Sequence, residues 1–170
     1  MNQLTIARER SLSDHIFPSL LPYVIALHLQ GANLVAASLV GADLVAANLI
    51  QVNLAKADLT RAELMIANLQ QANLQEADLK GANLIGANLT EANLSGSVLV
   101  GAKLIGADLN GADLSGADLR GVDFSSTDIL QAKVDKARFH LNLGISATIK
   151  EKLQQRGAIF EELATVEMAG

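Results

Sequence analysis

The chain of 170 residues contains no cysteine, no tryptophan, one tyrosine and four phenylalanines, and only two prolines. Without cysteine there are no disulfides, no thiolate nucleophile and no cysteine-ligated metal. With so few aromatics, neither a stacking platform for nucleic-acid bases nor an aromatic core is expected. The one long apolar run, Ile16 to Leu29, is broken by Pro18, Pro22 and His28. It falls short of the ~20 residues of a bilayer span. The mixed-sign cluster Arg8-Glu9-Arg10 is unlike a secretory leader. These features together predict a cytoplasmic chain with no membrane contact. A formal net charge of −5 names no partner, and no basic patch with interleaved aromatics supports direct nucleic-acid binding.

Half the residues are hydrophobic, so Leu and Ala must build the core, and they do so with a strict period of five. The phrase Ala32-Asn33-Leu34-Val35-Ala36 returns as Ala82-Asn83-Leu84-Ile85-Gly86 and Ala117-Asp118-Leu119-Arg120-Gly121. Aligned on the middle residue, 23 uninterrupted phrases fill residues 27–141. The centres are Leu from Leu29 through Leu119, then Phe124, Ile129, Val134 and Phe139. Two positions earlier stands a small residue, Ala in 18 phrases, and just before the centre stands Asn or Asp in 16. The two positions after the centre vary, as solvent-facing positions do. Ten phrases end in Gly, eight of them in the second half, which suggests a turn type that changes along the chain.

A period of five suits neither regular element. In an α-helix successive centres would scatter by about 140° around the axis, and in a strand they would alternate between faces. Every centre faces one core only if the chain turns once per phrase, with Asn, Asp and Gly supplying the turns. Internal repetition of this kind means that each repeat buries its apolar residues against its neighbours.

These phrases resemble the A(D/N)LXX motif of the pentapeptide-repeat family. The string from Leu143-Gly144-Ile145-Ser146 to Arg156-Gly157-Ala158-Ile159-Phe160 is similar to the tail of cyanobacterial members. The resemblance implies an all-β fold, a right-handed quadrilateral β-helix with four phrases per coil. About six coils would then stand roughly 28 Å tall. Residues 20 apart should stack, so that Leu44, Leu64, Leu84, Leu104 and Phe124 form an internal ladder. The amides of Asn33, Asn53, Asn73 and Asn93, and those of Asn48, Asn68 and Asn88, should line up for bonds from coil to coil.

An open coil exposes core residues and unpaired edges, so both ends require covers. Residues 1–26 are expected to form a short helical cap and residues 142–170 a helix and tail cap. At the C-terminal end a helix is expected from about Ile149 to Arg156. Thr148 and Glu151 would form a capping box, Gly157 the stop, and Ile145, Ile149 and Leu153 the buried face. Ile159 and Phe160 would help to close the last coil. One phrase, Ser97-Val98-Leu99-Val100-Gly101, loses both Ala and Asn/Asp and is the expected site of irregularity.

No set of groups converges for catalysis. His15, His28 and His140 are scattered and read as solvated surface residues. The stacked carboxylates Asp43 with Glu63 and Asp58 with Asp78 lack further ligands for a cation. The expected reading is therefore a non-enzymatic structural or protein-interaction module, with no cofactor and no catalytic or metal residues. Its partner would be another protein, and a homodimer stands open beside it. The sharpest surface feature lies just after the centre, where Val45, Met65, Ile85 and Ile105 recur 20 apart with Ile66 alongside. Such an apolar ladder is read as an interface for a partner or second copy, as a face covered by the chain's own N-terminal segment, or as a surface without a role. All four of Val35, Val40, Val45 and Ile50 are apolar, which predicts that segment near the first coil. The alternative function, implied by the family resemblance, is DNA mimicry directed at a type II topoisomerase such as DNA gyrase. Asp108, Asp113, Asp118, Asp123 and Asp128 would supply the acidic girdle for it. Against this, residues 27–141 carry 12 acidic and 8 basic side chains, a net charge of only −4.

Overall fold

The fold is that of a computed structural model of the chain, and residues 29–161 are the ones it describes. The expected N-terminal cap, His15 and His28 lie outside them.

Parallel backbone bridges join residues 20 apart along the chain, from Asn33 with Asn53 to Asp123 with Leu143. Four phrases therefore make one coil, and each coil stacks on the next. The hydrogen bonds explain why the phrase has five residues. In most phrases the amide of the centre donates to the next coil, as from Leu34 to the Asn53 carbonyl at 2.7 Å, and the residue before the centre donates back, from Asn53 to Ala32 at 2.8 Å. The last residue of the phrase also donates to the next coil, from Ala36 to Ala55 at 2.9 Å. The small residue closes the turn, Ala37 donating to the Leu34 carbonyl at 3.1 Å. That uses four amides. The fifth, on the residue just after the centre, has no backbone partner in this scheme and is met by the Asn or Asp two positions before it. All sixteen Asn and Asp residues in that slot accept this bond on Oδ1, at 2.9–3.4 Å. A short side-chain acceptor at fixed reach is what this turn demands.

The same side chains seldom bond from coil to coil as well. Asn73 donates to Asn53 at 3.1 Å and Asn83 to Glu63 at 2.7 Å. Among the described residues the Asn48, Asn68 and Asn88 ladder makes no such link. A second polar spine runs along one corner instead, where Gln51 donates to Gln71 and Gln71 to Glu91, at 2.8 and 2.7 Å.

The turn does not change along the chain. Every phrase but the one ending at Gln131 has positive φ at its last residue, 51–60° for Ala, Gln, Lys, Arg, Ile, Glu, Ser and Leu, and 63–70° for Gly. Glycine relieves a conformation that the coil imposes whether or not glycine is present.

Centres and small residues form one continuous core, with Leu44, Leu64, Leu84, Leu104 and Phe124 all buried in their ladder. The residue after the centre is half-buried in most phrases, while the last residue of the phrase is exposed, so the two variable positions are not equivalent.

The phrase at 97–101 is regular. Val98 bridges both Asp78 and Asp118, and the buried Ser97 hydroxyl is satisfied by the Leu94 carbonyl at 2.6 Å. Ser is small enough for its slot, and the bridge is purely backbone, so losing Ala and Asn leaves the coil intact. The irregularity falls instead at a 3-10 turn over Ile129–Gln131, capped by Asp128. Here Thr127 fills the small slot and turns its hydroxyl to the Leu104 carbonyl. Gly111 then bonds Gln131, one residue out of the usual register, at 3.2 Å.

In the last phrase, strand β1 (Arg138–Phe139) pairs in parallel with β2 (Ile159–Phe160), which lies beyond the repeats and adds one more rung to the stack. Between them lies helix α1 (Ala147–Gln155), whose N-cap is Ser146, its Oγ accepting from the Ile149 amide at 3.3 Å. The helix thus starts two residues before the expected position, and Thr148 is inside it. The expected face holds: Leu153 is buried, and Ile145 and Ile149 pack against the core. Gly157, at φ +88°, follows the helix where a Cβ would sit 2.5 Å from Asp135 Oδ1. Gly144, at φ +78°, leaves no room for a Cβ either, which would lie 2.5 Å from the Phe124 carbonyl carbon. Phe160 stacks on buried Phe139 at 4.8 Å, whereas Ile159 is 48% exposed and closes nothing.

Candidate functional site

The stacking of phrases brings Val45, Met65, Ile85 and Ile105 onto one face, one per coil. The bonds beside them fix this. The amides of Ala46, Ile66 and Gly86 each donate to the carbonyl of the ladder residue in the next coil, Met65, Ile85 and Ile105, all at 2.9 Å. With about 4.8 Å between coils the ladder is roughly 14 Å long. Its four side chains are half-buried, and Ile66 beside them is 62% exposed, leaning over Gly86. Along one edge runs the column Asp43, Glu63, Asn83, Lys103, joined by backbone bridges. The result is a flat apolar strip with a charged border.

The acidic girdle is assembled but partly neutralised. Asp118 lies 2.6 Å from Arg120 and 3.7 Å from Arg138, and Asp113 lies 3.8 Å from Lys133. The hydrogen bond from Arg120 holds the Asp118 carboxyl below its ordinary range. Burial acts to raise Asp113, but hydrogen bonds from Ser115 and the nearby Lys133 leave it lowered. Asp123 is lowered by its bonds from Ser125. Asp108 and Asp128 are occupied with turns, accepting from Asn110 and Leu130. The girdle is therefore built of turn-forming carboxylates, two of which already have cations.

The C-terminal rung carries a cluster that the repeat pattern foretold only in part. Arg138 pairs with Glu161, which also lies 3.6 Å from Arg120, and His140 Nδ1 is 3.0 Å from the Glu161 carbonyl oxygen. Arg138 stacks on Asp118 by the 20-residue rule. Glu161 lies beyond the repeats, so no spacing could place it. His140 is accordingly half-buried and tied to the tail rather than freely solvated. Beside this cluster is a shallow, open depression of about 350 Å³ lined by Val100, Gly101, Arg120, Gly121, His140 and Leu141. It exists because the corner column is glycine at 101 and 121.

Nothing in these surfaces resembles a reaction centre. Asp43 with Glu63 and Asp58 with Asp78 are neighbours across bridges, but among the described residues no three His, Asp or Glu side chains converge as metal ligands. Among them, too, no helix is long and apolar enough to cross a membrane.

Comparison with known proteins agrees with this architecture. Among solved structures, Rfr23, a pentapeptide repeat protein from the cyanobacterium Cyanothece 51142, is 35% identical over 55% of this chain and 60% of its own, with a TM-score of 0.50. HetL, a pentapeptide repeat protein involved in heterocyst differentiation regulation from Nostoc sp. strain PCC 7120, is 33% identical over 68% of this chain and 61% of its own, with a TM-score of 0.37. The chain thus spans about three fifths of the length of these two relatives. Full-length QnrB1, a plasmid-mediated fluoroquinolone resistance protein, is 23% identical over 76% of this chain and 68% of its own, at a TM-score of 0.42. No curated protein matches the chain. The family model for pentapeptide repeats matches in 8 copies over residues 28–64, 67–104 and 102–140. With its five-residue phrase, its 20-residue stacking and this match over more than half its length, the chain belongs to the pentapeptide-repeat family.

Proposed function

We propose that this protein is a non-catalytic, protein-binding module, a rigid stack that displays side chains on flat faces. Its docking face is the strip of Val45, Met65, Ile85 and Ile105 with Ile66. The observation that carries this reading is the contrast between slots. Centres, small residues and Asn/Asp are all consumed by the coil, while this column is apolar in four successive coils without a structural need to be. Contiguous apolar surface of this kind marks interfaces. In the same proposal the coil is right-handed with about six turns. Residues 1–26 and 142–170 cover its two ends, α1 lying over the last coil, and the protein works in the cytoplasm.

Affinity capture from the native host, comparing wild type with Ile85→Asp, tests the face. Loss of a captured protein is expected, and identical capture by both would overturn the assignment. The fold should tolerate this change, because Asp135 already occupies the equivalent slot.

The DNA-mimic alternative rests on Asp108, Asp123 and Asp128, which have no ion-pair partner among the described residues. Arg120, Arg138 and Lys133 reduce the field at Asp118 and Asp113. A gyrase supercoiling assay separates the two, since inhibition or protection by the protein at micromolar concentration would favour mimicry over docking.

A further inference from the structure

We infer that the occupant of the Val45–Ile105 strip is the same strip of a second copy, packed with the two stacks antiparallel. This rests on the reading of the strip as a docking face and supplies its partner.

A closed homodimer uses one patch against itself, so that what faces residue i must also suit it in reverse. A two-fold axis lying in the face, along the strand direction, lays each column on its own copy with the coil order reversed. If the axis passes midway between the coils of Met65 and Ile85, Val45 faces the partner copy's position 105 and Met65 faces position 85. All four ladder residues then meet an apolar side chain. No residue of the strip is left against a polar one.

The border column obeys the same operation. It reads Asp43, Glu63, Asn83, Lys103 in successive coils. Reversal sets Asp43 against Lys103 of the other copy at both ends, two opposite-charge pairs, and sets Glu63 against Asn83. These two chemistries already match within one chain, where Asn83 donates to Glu63 at 2.7 Å. Shape agrees as well. Ile66, the exposed member of its column, comes to face position 86, where glycine adds no side chain of its own.

Shifting the axis by half a coil toward Ile85 keeps Met65 against Ile105 and sets Glu63 against Lys103, but it loses the matches at the ends of the strip. Val45 would face Ser125, and Asp43 would face Asp123, a like-charge pair. The chain's own pattern thus selects one register. Asp123 falls outside the four-coil overlap in that register, and Ser125 ends the apolar column where the overlap ends.

Sedimentation equilibrium on the full chain should give twice its 17.9 kDa mass. Ile85→Asp should yield monomer. Lys103→Asp should weaken the dimer by at least about tenfold, and Asp43→Lys combined with Lys103→Asp should restore it. Neither change threatens the coil, for Asp and Lys both occupy this slot elsewhere. The register is read by Val45→Cys with Ile105→Cys, treated with a short bismaleimide. The chain has no cysteine of its own, and the two positions are about 14 Å apart within a chain, beyond the linker's reach, so a covalent dimer reports contact between copies. A wild type that stays monomeric at sub-millimolar concentration, a charge-swapped double variant as weak as the single, or no covalent dimer would each overturn the inference. If the protein is monomeric while Ile85→Asp still abolishes capture of a different protein, the docking face stands and the second copy falls. If Ile85→Asp changes neither mass nor capture, both fall.

Discussion

Replacing Ala46 by glycine should stabilise this protein, against the usual direction of that substitution. Ala46 is exposed, makes no side-chain bond, and sits at φ +56° at the corner of its phrase. Holding an L-residue in the left-handed region costs about 1–2 kcal/mol, and glycine removes that cost. Glycine's greater freedom in the unfolded chain returns about 0.4–1 kcal/mol of it. The net gain is about 0.5–1 kcal/mol. At ~2–4 °C per kcal/mol for a chain of this size, the melting temperature should rise by ~1–4 °C. Ala36, at φ 55°, and Ser126, at φ 59°, are equivalent exposed corners. The three sites share no contacts, so the triple glycine variant should gain about 2 kcal/mol and melt ~4–8 °C higher. Circular dichroism melts with urea titrations measure it. The reverse changes, Gly101→Ala and Gly106→Ala, meet no atom within 4 Å, so any cost there is purely conformational and should be about 1 kcal/mol. A triple variant less stable than wild type, with neutral Gly→Ala changes, would refute the idea that the coil imposes strain on its non-glycine corners.

Leu84 is fully buried in the middle of its ladder, and Leu84→Ala should cost about 2–5 kcal/mol in urea unfolding. Val98 occupies an Asn/Asp slot without an acceptor for the Val100 amide, so Val98→Asn should add one turn bond and about 0.5–1.5 kcal/mol; no gain would mean that this amide is already satisfied by water. Glu161 is held below its ordinary value of 4.5 first by the hydrogen bond from Arg138 and then by the charges of Arg138, Arg120 and His140. A depressed carboxylate stabilises the fold above its unfolded value and ceases to do so as pH falls through the folded one. The difference in melting temperature between wild type and Glu161→Gln should therefore be full at neutral pH and shrink below about pH 4.5. A gap that stays constant down to pH 3 would show that the change acts through packing alone.

Much of this architecture was legible because each slot of the phrase has one physical duty. Leu84 and Ala82 could be assigned to the core from period alone. Asn83 could be assigned to a turn from its type, since Asn and Asp reach backbone two residues on. Stacking at 20 assembled the core ladder and the apolar strip from spacing alone, whereas the pairing of Arg138 with Asp118, which obeys the same rule, was not read from it. The errors have equally local causes. Ser97-Val98 looked disruptive because its residue types depart from the motif, but the bridges at that slot use only backbone atoms. Thr127, one of the exceptions to Ala in the small slot, drew no expectation, yet its hydroxyl finds the Leu104 carbonyl and the next phrase tightens into a 3-10 turn. The clustering of glycine in the second half suggested a change of turn, whereas the same positive φ recurs at Lys56, Arg61 and Ile66.

Sequence alone determined the repeat, its inward and outward positions, and the family. These follow from a local rule applied every five residues, and an uninterrupted repeat propagates that rule without ambiguity. Tertiary structure decided what no period encodes. It showed that the fifth amide of each phrase is the one the Asn or Asp must satisfy. It bound the tail through Glu161 to Arg138 and Arg120 across more than 20 residues. It also showed that the two outer positions differ, one half-buried and one exposed. Those outcomes depend on which groups are left unpaired once adjacent coils have met, a property of the assembled stack rather than of any single phrase.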